Sequence, residues 1–172
     1  MNKRTQRNEL TFDDQTGLCV EMEEVFHALF DYICDFQNLD RPCVESLTLA
    51  GDDLVRQINA EYRGIDRTTD VISFAFEEGG DVIDAPVRDL GELIISVPQA
   101  QRQAEEFKHP LIRELCFLII HGTLHNLGYD HARSDEDARV MYALQNDILN
   151  SFEVDWEDAR WKPSEDPLKD ER

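Results

Sequence analysis

The apolar positions change period along the chain, and each change marks an element. In residues 18–36, LCVEMEEVFHALFDYICDF, residues Val25, Leu29, Tyr32, Ile33 and Phe36 recur at helical spacing and predict an amphipathic helix. Residues 45–50, ESLTLA, alternate as a half-buried strand does, and residues 8–16 read as an edge strand. Asp52 or Asp53 caps a helix to about residue 62, with Leu54, Val55, Ile58 and Tyr62 on its apolar side. Residues 70–78, DVISFAFEE, are rich in β-branched and aromatic side chains and predict a strand; a loop with Gly79, Gly80 and Pro86 leads to a further strand, ELIISV, over 92–97. Pro98 opens a helix to about residue 108. Pro110 opens another whose interior, LIRELCFLII, is apolar nearly all round, the composition of a central buried helix. Ser134 with Asp137 resembles the capped start of a last helix, to about residue 149.

This order, with strands first and three helices last, predicts an α/β or α+β domain with a small sheet and one helix through its middle. With 172 residues and no Gly/Ser linker or repeat, a single domain is expected over 1–150, followed by an acidic tail over 151–172 that holds two prolines and two tryptophans. The longest apolar stretch, LCFLII, is too short for a bilayer, and the basic start MNKRTQRNEL is followed by no apolar signal core, so a cytoplasmic chain without membrane contact is expected. Cys19, Cys34, Cys43 and Cys116 show no CxxC spacing, which argues against a disulfide framework or a cysteine zinc site. The net charge of −20 means that a polyanionic partner must meet a local basic patch or be delivered by another protein.

Three of the five histidines fall within HGTLHNLGYDH, residues 121–131. His121 and His125 are four apart at the end of the buried helix, so their imidazoles share one face. Gly128 suits a left-handed C-terminal cap, which turns the chain so that His131 faces the same point. Three neutral nitrogens and an open fourth position are the layout of a catalytic metal; a purely structural zinc normally closes with four ligands. Asp130 either orients an imidazole or is a solvated turn residue. His27 and His109, each without a neighbouring histidine, are not expected to be ligands. The pattern H-x3-H-x2-G-x2-H is also that of the metzincin peptidases, but their general-base glutamate follows the first histidine, where this chain has Gly122. Peptide hydrolysis is therefore the second reading.

In NAEYRGIDRTTDVISF, residues 59–74, Gly64 reads as a helix cap, and Arg63 and Arg67 stand at the turn. Asp66 and Asp70 are placed to pair with them, and Thr69 to cap the turn. Arg67 is read in that structural role; the residues alone leave Arg63 undecided.

Together with EDARVMYALQNDIL, the motifs YRGIDRTTDVISF and HGTLHNLGYDH resemble the YbeY family of bacterial metal-dependent endoribonucleases over roughly residues 45–149. The resemblance implies an α+β fold: a small mixed four-stranded sheet with about five helices around it, the central one carrying the metal ligands. It implies one Zn2+ per chain on His121, His125 and His131, although other divalent transition metals suit three imidazoles. It implies that Arg63 lies beside the metal in an RNA groove, which makes Arg63 and His121 the catalytic candidates. It implies cleavage of single-stranded RNA, maturation of the 3′ end of 16S ribosomal RNA and late ribosome quality control, with ribosomal RNA, the small subunit or an assembly GTPase as partners and no DNA. A noncatalytic ribosome-assembly factor with a bound metal is a further alternative. The chain departs from the family pattern at Asn126, usually apolar, at Ala75, commonly proline, and at Gly91-Glu92-Leu93, usually Gly-Asp-Ile.

Overall fold

Four strands form one mixed sheet: β1 (Glu9–Asp14), β2 (Cys43–Ala50), β3 (Val71–Ala75) and β4 (Arg88–Ser96), in the order β1-β2-β4-β3. The computed structural model describes residues 7–77, 84–152 and 154. Strands β1, β2 and β4 are parallel, and β3 runs antiparallel to β4 at the edge. Five α-helices accompany the sheet among the described residues: α1 (Glu23–Phe36), α2 (Asp52–Arg63), α3 (Val97–Glu106), α4 (Leu111–Asn126) and α5 (Asp135–Ser151). The fold is α+β, as the resemblance implied.

Helix α4 is the centre. It packs on β3, β4, α1, α3 and α5, and twelve of its sixteen residues are buried. That explains why its sequence lacks a broad polar face: a helix covered on most sides has, past its first residue, only the narrow stripe of Phe117, His121 and His125 left half-buried. Leu47, Leu49, Leu93 and Ile95 meet α1 and α4 in the main core, while Ala50, Ile72 and Val55 make a smaller cluster under α2. The four cysteines are free and buried. Among the described residues no helix is long and apolar enough to cross a membrane.

Several boundaries differ from the sequence expectation, each for a tertiary reason. A short 3-10 turn, Val20–Met22, precedes α1, so the helix begins later than residue 18. Its buried face carries Phe26, Leu29, Phe30, Ile33 and Cys34, while Val25 and Tyr32 are half-buried and Phe36 is exposed. The face is rotated because two phenylalanines bury more apolar area, and because the Tyr32 hydroxyl needs a polar partner, which it finds in Ser151 Oγ at 2.5 Å. Strand β4 starts at Arg88 rather than 92, because Arg88 and Asp89 pair with Cys43 and Val44 of β2; hydrogen bonding, not side-chain alternation, sets that end. Strand β3 stops at Ala75, and the buried Glu77 turns to meet Arg88 Nε at 2.7 Å. Gly79 and Gly80 lie outside the described residues, as does most of the expected tail. Helix α5 runs on to Ser151, and Phe152 packs on Tyr32, ring centroids 5.5 Å apart. Tyr62, expected on the apolar side of α2, is exposed and set edge-on against Phe74.

Candidate metal centre

The last turns of α4 bring His121 and His125 onto one face, with ring centroids 4.7 Å apart. The helix closes through hydrogen bonds from the Gly128 N–H to His125 O and from the Tyr129 N–H to Leu124 O, both 3.0 Å. Gly128 sits at φ +102°, a region closed to most side chains, and so lets the chain reverse. The reversal carries His131 back to 5.4 Å from His121 and 5.1 Å from His125, centroid to centroid. One nitrogen from each of the three half-buried rings lies within 4.8 Å of the others. Three such imidazoles can bind a metal ion.

The electrostatics suit a cation. Burial pushes His125 down to about 4, and His121 and His131 push the same way, so His125 is neutral with a lone pair to offer. Nδ1 of His131 is buried with no hydrogen-bond partner among the described residues, a deficit that an arriving ion or its ordered water would relieve. Nδ1 of His121 meets Oε1 of Gln145 on α5. The amide oxygen can only accept, so the ring proton lies on Nδ1 and the lone pair on Nε2. Gln145 was invisible to the histidine motif. Its signal in the sequence is a polar residue on the buried stripe of α5, between Met141 and Ile148.

Asp130 is a turn residue. Its Oδ1 accepts from the Ala132 N–H at 2.8 Å, which, with Arg133 nearby, holds its carboxyl below the usual range; among the described residues it makes no hydrogen bond to an imidazole. His27 lies on α1 near Glu23, and His109 is buried against Glu114, Nε2 to Oε2 2.5 Å; neither joins the cluster.

Two structural details position α4. Gly122 lies against the sheet: a Cβ there would be 2.5 Å from Leu93 Cδ2 and 3.4 Å from Val71 Cγ2. The place of the peptidase glutamate is thus a close helix–sheet contact. On the same helix, Thr123 Oγ1 donates to Glu45 Oε1 at 2.7 Å and Asn126 Nδ2 to Oε2 at 3.2 Å. Glu45 is buried on β2, and desolvation pushes its carboxyl up to about 7 despite those two bonds. The unusual asparagine at 126 is therefore a partner for a buried carboxyl.

Arg63 ends α2 and is exposed, its side chain making no hydrogen bond or ion pair among the described residues, and Gly64 caps the helix in the left-handed conformation. The expected pairing at this turn is not the one formed. Asp66 pairs with Arg56 at 2.9 Å, and Asp70 Oδ1 accepts from the Val71 N–H at 2.7 Å. Arg67 contributes its carbonyl, which accepts from Asn59 Nδ2. The reason is geometric: Arg56 is two turns back on α2, where its fork reaches Asp66 across the reversal.

Comparison with known proteins agrees with this picture. A family model described as Endoribonuclease YbeY matches residues 9–153. The chain belongs to the YbeY endoribonuclease family. The YbeY of Geobacillus sp. (strain WCH70) is 38% identical over 149 residues, 83% of this chain and 95% of that protein. The YbeY of Oenococcus oeni is 41% identical over 141 residues, 81% of this chain and 92% of that one. The solution structure of TM1509 from Thermotoga maritima shares the fold, with a TM-score of 0.62 at 23% identity over 88% of this chain and 92% of that one.

Proposed function

We propose that this endoribonuclease is a zinc enzyme that cuts single-stranded RNA in the cytoplasm, with the metal on His121, His125 and His131 and Arg63 facing the substrate phosphate. The observation that carries the metal is the cluster of three imidazole nitrogens within 4.8 Å. A divalent ion there would supply Lewis acidity, polarising a phosphoryl oxygen and acidifying water. Around it, Gln145 holds the tautomer of His121, and the Glu45 contacts hold α4 at its height on the sheet. Arg63 offers a guanidinium not engaged by any described carboxylate, the state needed to bind phosphate and to stabilise the charge that builds in the transition state. Membership in the family supports 16S ribosomal RNA 3′-end maturation and ribosome quality control as the setting, with the small subunit or an assembly GTPase delivering RNA to a chain of net charge −20. A single catalytic domain over 1–150 with an acidic tail over 151–172 is part of the same proposal.

Zinc-loaded protein, incubated with a single-stranded RNA, its duplex and casein, tests the reading. Cleavage of the single strand alone, lost in His121→Ala, is expected. Casein digestion would instead support peptidase chemistry, against which Gly122 already stands. RNA binding without cleavage by zinc-loaded protein would identify a noncatalytic assembly factor.

A further inference from the structure

Beside His121 opens a cleft of about 710 Å³ between α3, α4 and α5. Its walls differ from a phosphate groove. Among the described residues no lysine or arginine lines it; Phe107, Phe117 and Tyr142 do, with the amides of Gln103, Gln145 and Asn146 and the carboxylates of Asp70 and Glu106. A phosphate would be repelled by those carboxylates. Phe107 and Tyr142 are 43% and 48% exposed, large apolar area open to the cleft. The ring of Phe117 lies nearly parallel to that of His121, 23° between planes and 6.4 Å between centroids, so the aromatic wall continues into the metal centre.

We infer that this cleft holds one unpaired nucleobase of the RNA, next to the phosphodiester that is cut, and that it favours a base presenting amino donors, guanine above all. The inference rests on the nuclease reading of the metal centre and names the base that centre selects. Single-stranded RNA is read by stacking bases on aromatic side chains and by hydrogen bonds to their edges. Guanine presents N1–H and N2–H donors side by side, the complement of a carboxylate, which only accepts. Uracil presents two carbonyl oxygens around one N–H, and these would face Asp70 and Glu106. Partners for the base stand ready. The side chain of Glu106 has no hydrogen bond or ion pair among the described residues, and neither does that of Asn146. Gln145 is wholly buried, and its Nε2 has no hydrogen-bond partner among the described residues, although Oε1 is engaged by His121. That leaves the two N–H donors of one amide on the cleft wall for a base carbonyl such as guanine O6. The wall is also braced. Gln103 Nε2 donates to Glu114 Oε1 at 2.8 Å and to Asp70 Oδ2 at 3.3 Å, and Glu114 is itself held by the buried His109. A neutral base in an acidic cleft, with the phosphate at the metal, also reconciles the chain's negative charge with an RNA substrate.

Fluorescein-labelled 2′-O-methyl pentanucleotides UUGUU, UUIUU (with inosine) and UUUUU, titrated by anisotropy against zinc-loaded protein, test this. Guanine should bind about tenfold tighter than uracil, with inosine between, because it lacks the 2-amino donor. Glu106→Gln should erase most of the guanine–inosine difference, and Tyr142→Ala should weaken UUGUU about tenfold through lost stacking. Both residues are exposed, so the variants are expected to fold, which circular dichroism checks. Equal binding of UUGUU and UUUUU by the wild-type protein would overturn the inference. So would discrimination unchanged in both Glu106→Gln and Asp70→Asn. Failure to cleave any single-stranded RNA would sink the nuclease reading instead, while base preference in the same titration stands or falls separately.

Discussion

Gln145 Oε1 accepts a hydrogen bond from Nδ1 of His121 across the contact between α5 and α4. The bond joins residues 24 apart in sequence and fixes which nitrogen of the first histidine of the cluster carries the lone pair. Gln145→Leu, of similar volume, should weaken zinc binding about 10- to 100-fold while keeping the fold. Competition with a chromogenic chelator measures the affinity; unchanged affinity in a folded variant would deny Gln145 this orienting role.

Wild-type protein should hold about one equivalent of metal, and His125→Ala should lose it. His109→Ala should behave differently. It leaves Glu114 buried without its imidazole partner and should lower stability by about 3 kcal/mol, yet the folded protein should keep its metal. Elemental analysis beside urea unfolding separates the two cases; His109→Gln, which preserves a donor, serves if the alanine variant is too unstable.

Glu45 makes stability fall as pH rises. Its carboxyl sits at about 7 when folded against an ordinary 4.5, so between those values the folded state holds a proton that the unfolded state has released. The cost grows from about pH 4.5 and is complete above pH 7, reaching on the order of 3 kcal/mol. Glu45→Gln keeps the contacts to Thr123 and Asn126 in the manner of the protonated acid. It should be more stable than wild type at pH 8 and nearly equal at pH 4.5, as read by urea midpoints at the two pH values. A constant difference across that range would contradict the burial of a titrating carboxyl.

Gly122→Ala should destabilise by about 1–3 kcal/mol through overpacking, although alanine is the better helix former by about 1 kcal/mol. The reason is the 2.5 Å approach of the new Cβ to Leu93 Cδ2 within a closed core. A raised melting temperature would show that Leu93 moves aside without penalty.

Arg63→Glu should reduce RNA cleavage by about 100-fold or more while leaving melting temperature and zinc content near wild type. The expectation of intact stability rests on the exposed side chain having no partner among the described residues. Lysine should restore only part of the rate, since an ammonium cannot reproduce the planar fork. Full activity in folded, zinc-loaded Arg63→Glu would remove the residue from the mechanism.

The sequence alone determined the local geometry. Helices and strands follow from period, and the cluster of three histidines from an i, i+4 pair plus a glycine reversal, all within eleven residues whose relative positions a helix and one turn dictate. The family motifs were legible for the same reason: they are short and contiguous. Only the tertiary structure decided what joins distant segments. Glu45 reads as one position of an alternating strand, yet it meets Thr123 and Asn126, 78 and 81 residues away, inside the core. Asp66 had arginines closer in sequence and took Arg56. The face of α1 turned toward Phe26 and Phe30 because the sheet and α4 offered area there. The cleft beside His121 exists only where three helices converge. Periodicity constrains which side of an element is apolar; which partner that side meets, and which buried polar atom must then be satisfied, is set by packing between elements.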